Sequence, residues 1–399
     1  MKKILFVINT LGRAGAEMAM LELLRRLSEK EIEIHLYILT GQGEMLDEVP
    51  ANVKLLNKEY QNCSVHTPEG KKLLGRTSLK AMLRRGTVLK LLPYLLKQGL
   101  GMVWKGRILP DKLLWRVLSD GAERFEEQYD LAVAYIEGGS TYYVADHVKA
   151  TRKAAFFHVD YSLAGYSRSL DKDCYLKYDK VFPISDEVKE AFLKVYPECR
   201  ERTQVFHNLL NQDRILQMSK QDGGYTDTYD GYRILTVGRL TPQKDFAQSI
   251  KAMKLLKEKG IKARWYILGE GEQRDVLENL IRKLQLEQDF YLLGTTDNPY
   301  AYMIQSDIYV HATRFEGKSI AVQEAQILGC PILVSNCSGN REQVVHEQDG
   351  LMCELTPEAI CEGIITLLKD AEKRRVYGEA AAKRHMAENT EIDKLISLI

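Results

Sequence analysis

Short apolar runs alternate with amphipathic helical patterns along most of the chain, and this alternation occurs twice. The first series of predicted strands is KILFVIN, IEIHLYIL, LAVAYI, KAAFFHV and KVFPIS, and the second is YRILTVGRL, ARWYILGEG, FYLLG, DIYVHAT and PILVSN. Apolar residues at helical spacing occupy the segments between them, as in AEMAMLELLRRLSEK. Strands that are apolar on both faces and joined by helices form parallel sheets. The pattern therefore predicts an α/β fold with two doubly wound, Rossmann-like domains.

A polar segment, SKQDGGYTDTYDGY at residues 219–232, separates the two series and predicts the linker between the domains. We accordingly expect a first domain over residues 1–218 and a second over residues 233–380. The last residues, 381–399, predict a helix that packs back on the first domain. Because parallel sheets bind ligands at the carboxyl ends of their strands, the two domains are expected to face a ligand-binding cleft.

The composition excludes several classes of protein. The 399 residues are 45% hydrophobic and 28% charged, and the formal net charge of +1 gives no reason to expect nucleic acid as a partner. The seven cysteines are scattered and form no C-x-x-C pair, which disfavours a zinc site or a disulfide framework and favours a reducing cytosol. No stretch approaches the roughly 18 consecutive apolar residues of a membrane span, so we expect membrane contact to be peripheral.

Basic charge is concentrated in one predicted helical insert, residues 71–118. The insert holds twelve Lys or Arg residues and a single acidic residue, Asp111, interleaved with Leu, Val, Trp104 and Trp115. Such a surface suits anionic lipid headgroups, where each basic residue contributes about 1 kcal/mol. The alternative is a basic amphipathic cover over the first sheet. Since no nucleic-acid-binding module is recognisable, we expect an anionic membrane surface as a partner and no nucleic acid.

Two cationic residues follow the first strand of the second series, in VGRLTPQKDF. Arg239 offers a planar fork of donors and Lys244 a point charge, and both suit phosphate oxygens. Taken alone, such a pair more often marks a solvated loop with two surface charges.

The segment TRFEGKSIAVQEA, residues 313–325, predicts an anion site at the start of a helix. Ser319 is the expected N-cap, and a helix N-terminus presents N–H groups and a partial positive charge. The expected phosphate-binding backbone comprises Gly317, Lys318, Ser319 and Ile320. Glu316 precedes this site, while Glu324 lies one to two turns inside the helix, where it would accept hydrogen bonds from a ribose. The alternative is an exposed capping glutamate followed by an ordinary helical one.

The first half of the chain offers fewer candidates. In NTLGRAGAEMAM, Gly12 and Gly15 predict a tight strand-to-helix turn where the backbone can approach a ligand. The spacing is not G-x-G-x-x-G, so nicotinamide-dependent hydride transfer loses its main support. His158 follows a predicted strand and faces the predicted cleft, although a lone histidine is more often structural. We expect Asp171 and Asp173 to be surface charges that bind no metal.

Together these segments resemble the retaining glycosyltransferases of the GT-B fold, family 4. The match is strongest over residues 232–353. There VGRLTPQKDF resembles the family's V-G-R-L followed by a lysine, and YILGEGEQRDVLENLIRKLQL resembles its I-G-x-G segment with a later L-E. Glu316 and Glu324 match its E-x7-E motif. Over residues 1–215 the resemblance is weaker and rests on the Gly12/Gly15 turn, His158, VFPISDEVKEAFLKVYP and VFHNLLN.

The resemblance implies a donor site in the second domain. Arg239 and Lys244 would hold the donor diphosphate with help from the amides of residues 317–320, and Glu324 would bind the ribose. No metal or other cofactor is implied, since two cations and a helix N-terminus bind the diphosphate. The nucleotide-sugar, expected to be a UDP-sugar, is a substrate.

The resemblance also implies the chemistry, which is front-face sugar transfer with retention and with the leaving diphosphate stabilised by preorganised cations. Glu316 and His158 would be the catalytic residues, and the Gly12/Gly15 turn would contact donor and acceptor. Many family members read E-G-x-G-x-P where this chain has Lys318-Ser319-Ile320, which adds a cation near the donor sugar.

Combined with the basic insert, the resemblance predicts a hexosyltransferase at the cytoplasmic face of a membrane. It would transfer a sugar from a nucleotide donor to a lipid-linked saccharide or a surface-polysaccharide precursor. The alternatives are an inverting transferase or a nucleotide-sugar epimerase of the same fold, and a non-catalytic partner that recruits another transferase. The spacing of Arg239, Lys244, Glu316 and Glu324 disfavours all of them.

Overall fold

A computed structural model of the chain describes residues 1–65, 67–104, 106, 108–384 and 391–399. These residues form two compact units, of which the first contains Met1–Leu209 together with the C-terminal end of the chain. The second unit begins at Leu210. Each unit is built on its own parallel sheet.

The first sheet is buried on both faces. Its strands are β1 (Lys2–Ile8), β2 (Ile32–Ile38), β3 (Val53–Leu55), β4 (Gln128–Ala134), β5 (Lys149–Phe157) and β6 (Lys180–Pro183), and their order across the sheet is β3-β2-β1-β4-β5-β6. Along β1, Leu5 and Val7 join one apolar cluster, whereas Ile4, Phe6 and Ile8 join another. This two-sided burial explains why the strand reads as a continuous apolar run rather than an alternating one.

The second sheet repeats the same topology. Its strands are β7 (Tyr232–Val237), β8 (Ala263–Leu268), β9 (Phe290–Gly294), β10 (Ile308–His311), β11 (Ile332–Ser335) and β12 (Leu351–Cys353), in the order β12-β11-β10-β7-β8-β9. Both sheets thus have the doubly wound order in which the first strand lies beside the fourth, and the predicted fold class is confirmed. Sequence patterns identified ten of these strands but missed β3 and β12, which have three residues each and lie at sheet edges.

Helices connect the strands within both units. In the described residues they are α1 (Gly15–Ser28), α2 (Pro68–Leu83), α3 (Thr87–Trp104), α4 (Pro110–Gly121), α5 (Gly139–His147), α6 (Arg168–Asp171), α7 (Asp186–Leu193), α8 (Gln212–Ser219), α9 (Phe246–Glu258), α10 (Arg274–Lys283), α11 (Tyr300–Ile304), α12 (Ile320–Ile327), α13 (Asn340–Gln343), α14 (Pro357–Lys369), α15 (Ala371–Arg384) and α16 (Glu391–Ile396). None of these described helices combines the length and the apolar character needed to cross a bilayer.

The boundary between the units differs from the predicted linker. Helix α8 belongs to the second unit, because Leu210 and Ile215 pack into an apolar cluster of that unit. Residues 219–232 therefore lie inside the second unit rather than between the two. At the other end of the chain, Ile392 and Leu395 of α16 are buried in a cluster of the first unit, while α15 remains with the second.

The basic insert forms the three helices α2, α3 and α4 and has a small apolar core of its own. Ala81, Leu91, Val117 and Leu118 form this core. Helix α4 packs on α5 of the sheet layer, so the insert is fixed to the first unit. The insert thus packs against the first unit through α4, and it leaves one face of α3 exposed.

The prediction that Asp171 is a surface charge is wrong. Asp171 is fully buried, and its carboxylate accepts hydrogen bonds from the hydroxyls of Tyr142, at 2.7 Å, and Tyr161. Burial raises the pKa of Asp171 to about 6, despite these hydrogen bonds and the nearby Arg116. Arg116 also donates to the Asp171 carbonyl at 2.9 Å, which ties α4 of the insert to this polar core. The carboxylate thus serves the packing of the first unit.

Candidate functional site

Three loops of the second unit meet at the carboxyl ends of the neighbouring strands β7, β10 and β11. The loops after β7 and β10 are joined by Gln243, whose backbone carbonyl accepts hydrogen bonds from the Thr313 hydroxyl and the Arg314 amide, each at 3.0 Å. The Ser335 hydroxyl, at the end of β11, accepts from the Thr313 amide at 2.9 Å and donates to the Thr313 carbonyl at 2.7 Å. These hydrogen bonds join the three loops, so the backbone that carries the functional side chains is fixed in position.

A buried polar cluster of Lys244, His311 and Glu316 lies among these loops. Lys244 Nζ forms an ion pair with Glu316 Oε1 and lies 3.2 Å from His311 Nε2. His311 Nε2 is also 3.2 Å from Glu316 Oε1. The sequence predicted Lys244 and Glu316 as members of one site, and the structure brings them into direct contact. His311, the last residue of β10, was not predicted.

The electrostatics of this cluster fix its protonation. Burial alone would raise the pKa of Glu316, but the Lys244 ammonium and the contact with His311 outweigh it and lower the pKa to about 2. Burial and the same ammonium lower the pKa of His311 below its usual value. At neutral pH, Glu316 is therefore an anion and His311 a neutral ring.

The start of α12 is more enclosed than the sequence predicts. The Ser319 hydroxyl accepts from the Val322 amide at 3.4 Å, which confirms Ser319 as the N-cap. However, the Ser319 amide donates to Gln343 Oε1 at 2.7 Å, and Gln343 Nε2 donates back to the Ser319 carbonyl at 2.7 Å. The Ser319 amide is thus committed to a side chain, and in this structure it is not one of the anion-binding donors expected at residues 317–320.

A glycine brings the loop after β11 against the segment that follows Glu316. Gly339 has a φ of +77°, and a Cβ there would lie 2.3 Å from the Gly317 carbonyl and 2.9 Å from the Glu316 carbonyl. Both the positive φ and this close approach require glycine. Gly317 begins the predicted anion-binding segment, in which Lys318 precedes the N-cap Ser319 and Ile320 is the first residue of α12.

Glu324 lies on α12 and is buried. Tyr300 on α11 donates a hydrogen bond of 2.8 Å to Glu324 Oε1. Burial nevertheless raises the pKa of Glu324 to about 7, since no cation among its described neighbours opposes the loss of solvent. The two glutamates of the E-x7-E motif therefore have opposite character at neutral pH, because Glu316 is fully ionised and Glu324 is half protonated.

Arg239 follows β7 and has an exposed side chain. Its loop is held by two close backbone approaches, because a Cβ on Gly269 would lie 2.0 Å from the Gly238 carbonyl and one on Gly271 would lie 2.4 Å from the Leu240 carbonyl. Within the described residues, no hydrogen bond or ion pair joins Arg239 to the Lys244–His311–Glu316 cluster. The structure thus positions the backbone of Arg239 and leaves its side chain in solvent.

In the first unit, His158 lies at the carboxyl end of β5 and is buried. His158 Nε2 lies 2.9 Å from the Tyr135 carbonyl, which can only accept, so this nitrogen carries the proton and Nδ1 is an acceptor. Burial lowers the pKa of His158, which favours the neutral ring. The His158 amide donates to Glu137 Oε2 at 3.1 Å, and Asn9 Nδ2 donates to the Glu137 carbonyl at 3.0 Å. Asn9 and Glu137 were not predicted.

Gly12 and Gly15 lie where the sequence places them, between β1 and α1. A Cβ on Gly12 would lie 3.4 Å from Glu44 Oε2, and Gly15 is the first residue of α1. The Glu44 carboxylate also accepts from the Arg13 amide at 3.3 Å. The turn is therefore tight, and a carboxylate lies against it.

One group of possible metal ligands lies away from both sites, towards the start of strands β1 and β2. Glu33, His35 and Glu127 each offer a ligand atom, and these atoms lie within 4.8 Å of one another. Lys3 contacts both carboxylates and already supplies a positive charge to them. This group therefore has an internal counter-ion.

Known proteins similar to this chain are glycosyltransferases. The family model of glycosyl transferases group 1 matches residues 227–384. Over 392 residues, the chain is 27% identical to N-acetylgalactosamine-N,N'-diacetylbacillosaminyl-diphospho-undecaprenol 4-alpha-N-acetylgalactosaminyltransferase of Campylobacter jejuni, with 97% of this chain and 96% of that protein covered. Over 122 residues, it is 34% identical to UDP-Gal:alpha-D-GlcNAc-diphosphoundecaprenol alpha-1,3-galactosyltransferase of Escherichia coli, with 30% and 32% covered.

Among solved structures, Anabaena Alr3699/HepE in complex with UDP-glucose has the same fold. The TM-score is 0.69 at 15% identity, and the match covers 100% of both chains. The Campylobacter protein and this structure are similar to both units of the chain, whereas the family model covers only residues of the second. The likeness thus extends to the first unit, where sequence motifs are weaker.

Proposed function

Because the chain belongs to the group 1 glycosyltransferases and has the GT-B fold, we propose that it is a retaining, metal-independent enzyme that transfers a sugar from a nucleotide-sugar to a lipid-linked saccharide. The observation that carries this proposal is the buried Lys244–His311–Glu316 cluster beside the start of α12, with Glu324 on the same helix. Such a site offers a cation for a diphosphate and a carboxylate for a ribose.

Lys244 has two successive partners in the proposed reaction. Without donor its ammonium neutralises Glu316. When the donor binds, the ammonium and the Arg239 guanidinium bind the diphosphate, whose charge grows as the bond to the sugar breaks. Two cations then stabilise the leaving group, which is the contribution that a divalent metal supplies in other transferases.

Without donor, Glu316 is ionised at neutral pH, because Lys244 and His311 lower its pKa. We assign it an electrostatic role, in which it stabilises positive charge that develops at the anomeric carbon. The bond from that carbon to the phosphate oxygen breaks, and the acceptor oxygen bonds to the same face. Because the acceptor bonds to the face that the phosphate leaves, the configuration at the anomeric carbon is retained. The acceptor proton passes to the leaving phosphate oxygen, so the charges balance. The neutral His158, with Nδ1 as an acceptor, binds a substrate hydroxyl in the first unit.

Three similar proteins support the choice of substrates. The Escherichia coli relative is named for UDP-Gal, and the Anabaena structure contains UDP-glucose, which supports a UDP-sugar as donor. Both curated relatives act on saccharides linked to undecaprenol through a diphosphate, which supports an acceptor of this kind. The seven free cysteines suit the reducing cytoplasmic side of the membrane.

One face of α3 supports peripheral binding to that membrane. Exposed apolar side chains recur along α3 at helical spacing, and we call them the α3 apolar stripe: Leu89, Leu92, Leu96, Leu100 and Val103. Trp104, 89% exposed, ends the helix. The opposite side of α3 is anchored, because Leu91 is buried and the Tyr94 hydroxyl donates to the Leu170 carbonyl at 2.7 Å. An apolar stripe on a basic insert suits an anionic bilayer, where the stripe enters the acyl boundary and the cations meet headgroups.

Charging the α3 apolar stripe is expected to release the protein from membranes. We expect the double variant Leu96→Glu/Leu100→Glu to lose flotation with phosphatidylglycerol vesicles while its melting temperature stays unchanged, since both residues are exposed. The matched control is Val276→Glu, which charges an exposed apolar residue on α10 of the second unit. Equal flotation of the double variant and the control would contradict this role of the stripe.

A thermal-shift screen with EDTA present tests the donor. A UDP-sugar at about 100 times its dissociation constant should stabilise the protein by about 2.7 kcal/mol, which raises the melting temperature by several degrees. We expect a shift with a UDP-sugar and none with GDP-, ADP- or CMP-sugars. A shift that appears only with added Mg²⁺ would contradict metal-independent binding, and the absence of any shift would favour a non-catalytic partner.

A further inference from the structure

A large cavity in the first unit lies beside helix α2 and is lined by none of the predicted site residues. Its volume is about 570 Å³, within the roughly 300–1,000 Å³ of small-molecule sites. Residues after β2 and β3 form one wall, and α2 with the end of α4 forms the other. The insert thus forms one wall of an open cavity rather than only covering the sheet.

Four cations line this cavity. Arg76 and Lys80 lie four residues apart on one face of α2, Arg84 is the C-cap residue directly after this helix, and Lys58 lies on the loop after β3. Two carboxylates, Glu59 and Glu123, also line it. Lys58 lies 2.9 Å and Arg84 3.9 Å from Glu123, and Lys80 lies 3.8 Å from Glu59.

The charges do not cancel, because four cations and two carboxylates leave a formal +2 in one cavity. A diphosphate that is esterified at both ends carries two negative charges, so one such group would neutralise the cavity. Arginine forks and lysine ammonium groups are the usual protein ligands of phosphate oxygens.

A row of hydrogen bonds also links the wall of the cavity to the predicted site residue His158. Thr40 lines the cavity, and its amide and hydroxyl donate to the Asn9 carbonyl at 3.1 Å and 3.0 Å. Asn9 in turn contacts Glu137, which accepts from the His158 amide. A continuous row of hydrogen-bonded residues therefore runs from the cavity wall to His158.

Apolar residues line the cavity as well. Leu73 and Ala81 contribute from α2 and Leu118 from α4. Leu79 and Leu83 of α2 are exposed, as is the α3 apolar stripe. The insert thus combines cations within a cavity with apolar surface outside it, which is the combination that an amphiphile with a charged centre requires.

We propose that this cavity binds the diphosphate of the lipid-linked acceptor, with Arg76, Lys80, Arg84 and Lys58 as its ligands and the first isoprene unit against the apolar wall. The choice of acceptor rests on the proposed function, whereas the binding of an isoprenyl diphosphate by these residues does not. Without a ligand, Glu59 and Glu123 form ion pairs with these cations, and the diphosphate replaces the two carboxylates when it binds.

Binding of farnesyl diphosphate, measured by calorimetry with no donor present, tests the proposal. We expect the double variant Arg76→Ala/Lys80→Ala to weaken its binding by about 10-fold or more, as the loss of two charge-assisted contacts requires. The matched control Lys71→Ala/Lys72→Ala removes two exposed cations of the same helix that do not line the cavity, and should leave this binding unchanged. Arg76 and Lys80 are themselves exposed, so the double variant should fold, which its melting temperature would verify.

Other probes distinguish the sources of the phosphate. Farnesyl monophosphate should bind more weakly than the diphosphate, because it fills fewer of the cationic contacts. Equal binding of farnesyl diphosphate to both double variants would overturn the proposal. A lipid-headgroup site would replace the proposal under two joint results. Arg76→Ala/Lys80→Ala would lose binding to phosphatidylglycerol vesicles as strongly as binding to farnesyl diphosphate, and the native protein would not prefer farnesyl diphosphate to farnesyl monophosphate. Since no donor is used, a protein that binds farnesyl diphosphate but no nucleotide-sugar would refute the proposed function and keep this inference.

Discussion

Replacing Lys244 by methionine is expected to remove most sugar transfer and to destabilise the second unit. Loss of a preorganised cation at a leaving group costs on the order of 10²-fold or more in turnover. The structural cost arises because Lys244 neutralises the buried Glu316, and removal of one partner from a buried ion pair costs about 3–5 kcal/mol. Turnover would be followed by release of the nucleotide diphosphate, and stability by thermal unfolding at neutral pH.

A second substitution separates the two effects. In Lys244→Met/Glu316→Gln the uncompensated carboxylate is gone, so we expect the stability to return towards that of the native protein while turnover stays low. Lys254→Met is the matched control, because Lys254 is a partly exposed lysine whose partner is the exposed Glu258 at 3.4 Å. Recovery of turnover along with stability in the double variant would contradict a role for Lys244 at the diphosphate.

The fold was predictable because its strands are buried on both faces. The central residues of runs such as KILFVIN and DIYVHAT are apolar, and each run became a strand near the centre of a sheet. The pattern contains no such signal for β3 or β12, since three residues show no period and an edge strand is less buried. The unit boundary was harder to predict, because α8 looks like any amphipathic helix and only its packing shows which sheet it accompanies.

The site was predictable in its loops but not in its contacts. Lys244 and Glu316 could be found because parallel strands place their ligand-binding residues directly after them. His311 could not, because it ends an apolar strand and its position is that of a core residue. The hydrogen bond from the Ser319 amide to Gln343 was equally unpredictable, since Gln343 is distant in sequence and follows a different strand. Side-chain pairing across loops depends on the tertiary structure, which local patterns do not encode.

Replacing Glu324 by glutamine is expected to stabilise the protein at high pH. The pKa of Glu324 is raised by burial to about 7, above the value near 4.5 of an exposed glutamate. A carboxyl of this kind stabilises the fold while it is protonated, so its contribution is full below about pH 4 and is lost as the pH rises through 7. Between pH 5 and pH 8 the loss is on the order of 2–3 kcal/mol.

Melting temperatures at pH 5 and pH 8 measure this loss. Glu324→Gln should match the native protein at pH 5, where Glu324 is neutral, and melt several degrees higher at pH 8. The exposed Glu287→Gln is the matched control, and it should follow the native protein at both values. An identical difference between Glu324→Gln and the native protein at pH 5 and pH 8 would show that Glu324 does not titrate in this range.

The same titration should govern the affinity for the donor. If the ionised carboxylate accepts hydrogen bonds from the ribose, a donor binds the deprotonated form, which makes up about a tenth of the protein at pH 6 and most of it at pH 8. A UDP-sugar has no group of its own that titrates in this interval, so its dissociation constant should fall about tenfold from pH 6 to pH 8 in the native protein. In Glu324→Gln the affinity should be about 10- to 100-fold weaker at pH 8 and independent of pH, because the charged acceptor is gone. If Glu324→Gln is more stable but binds the donor poorly, the buried carboxylate binds the ribose and lowers the stability of the fold. Unchanged donor affinity in this variant would assign Glu324 to packing with Tyr300 alone.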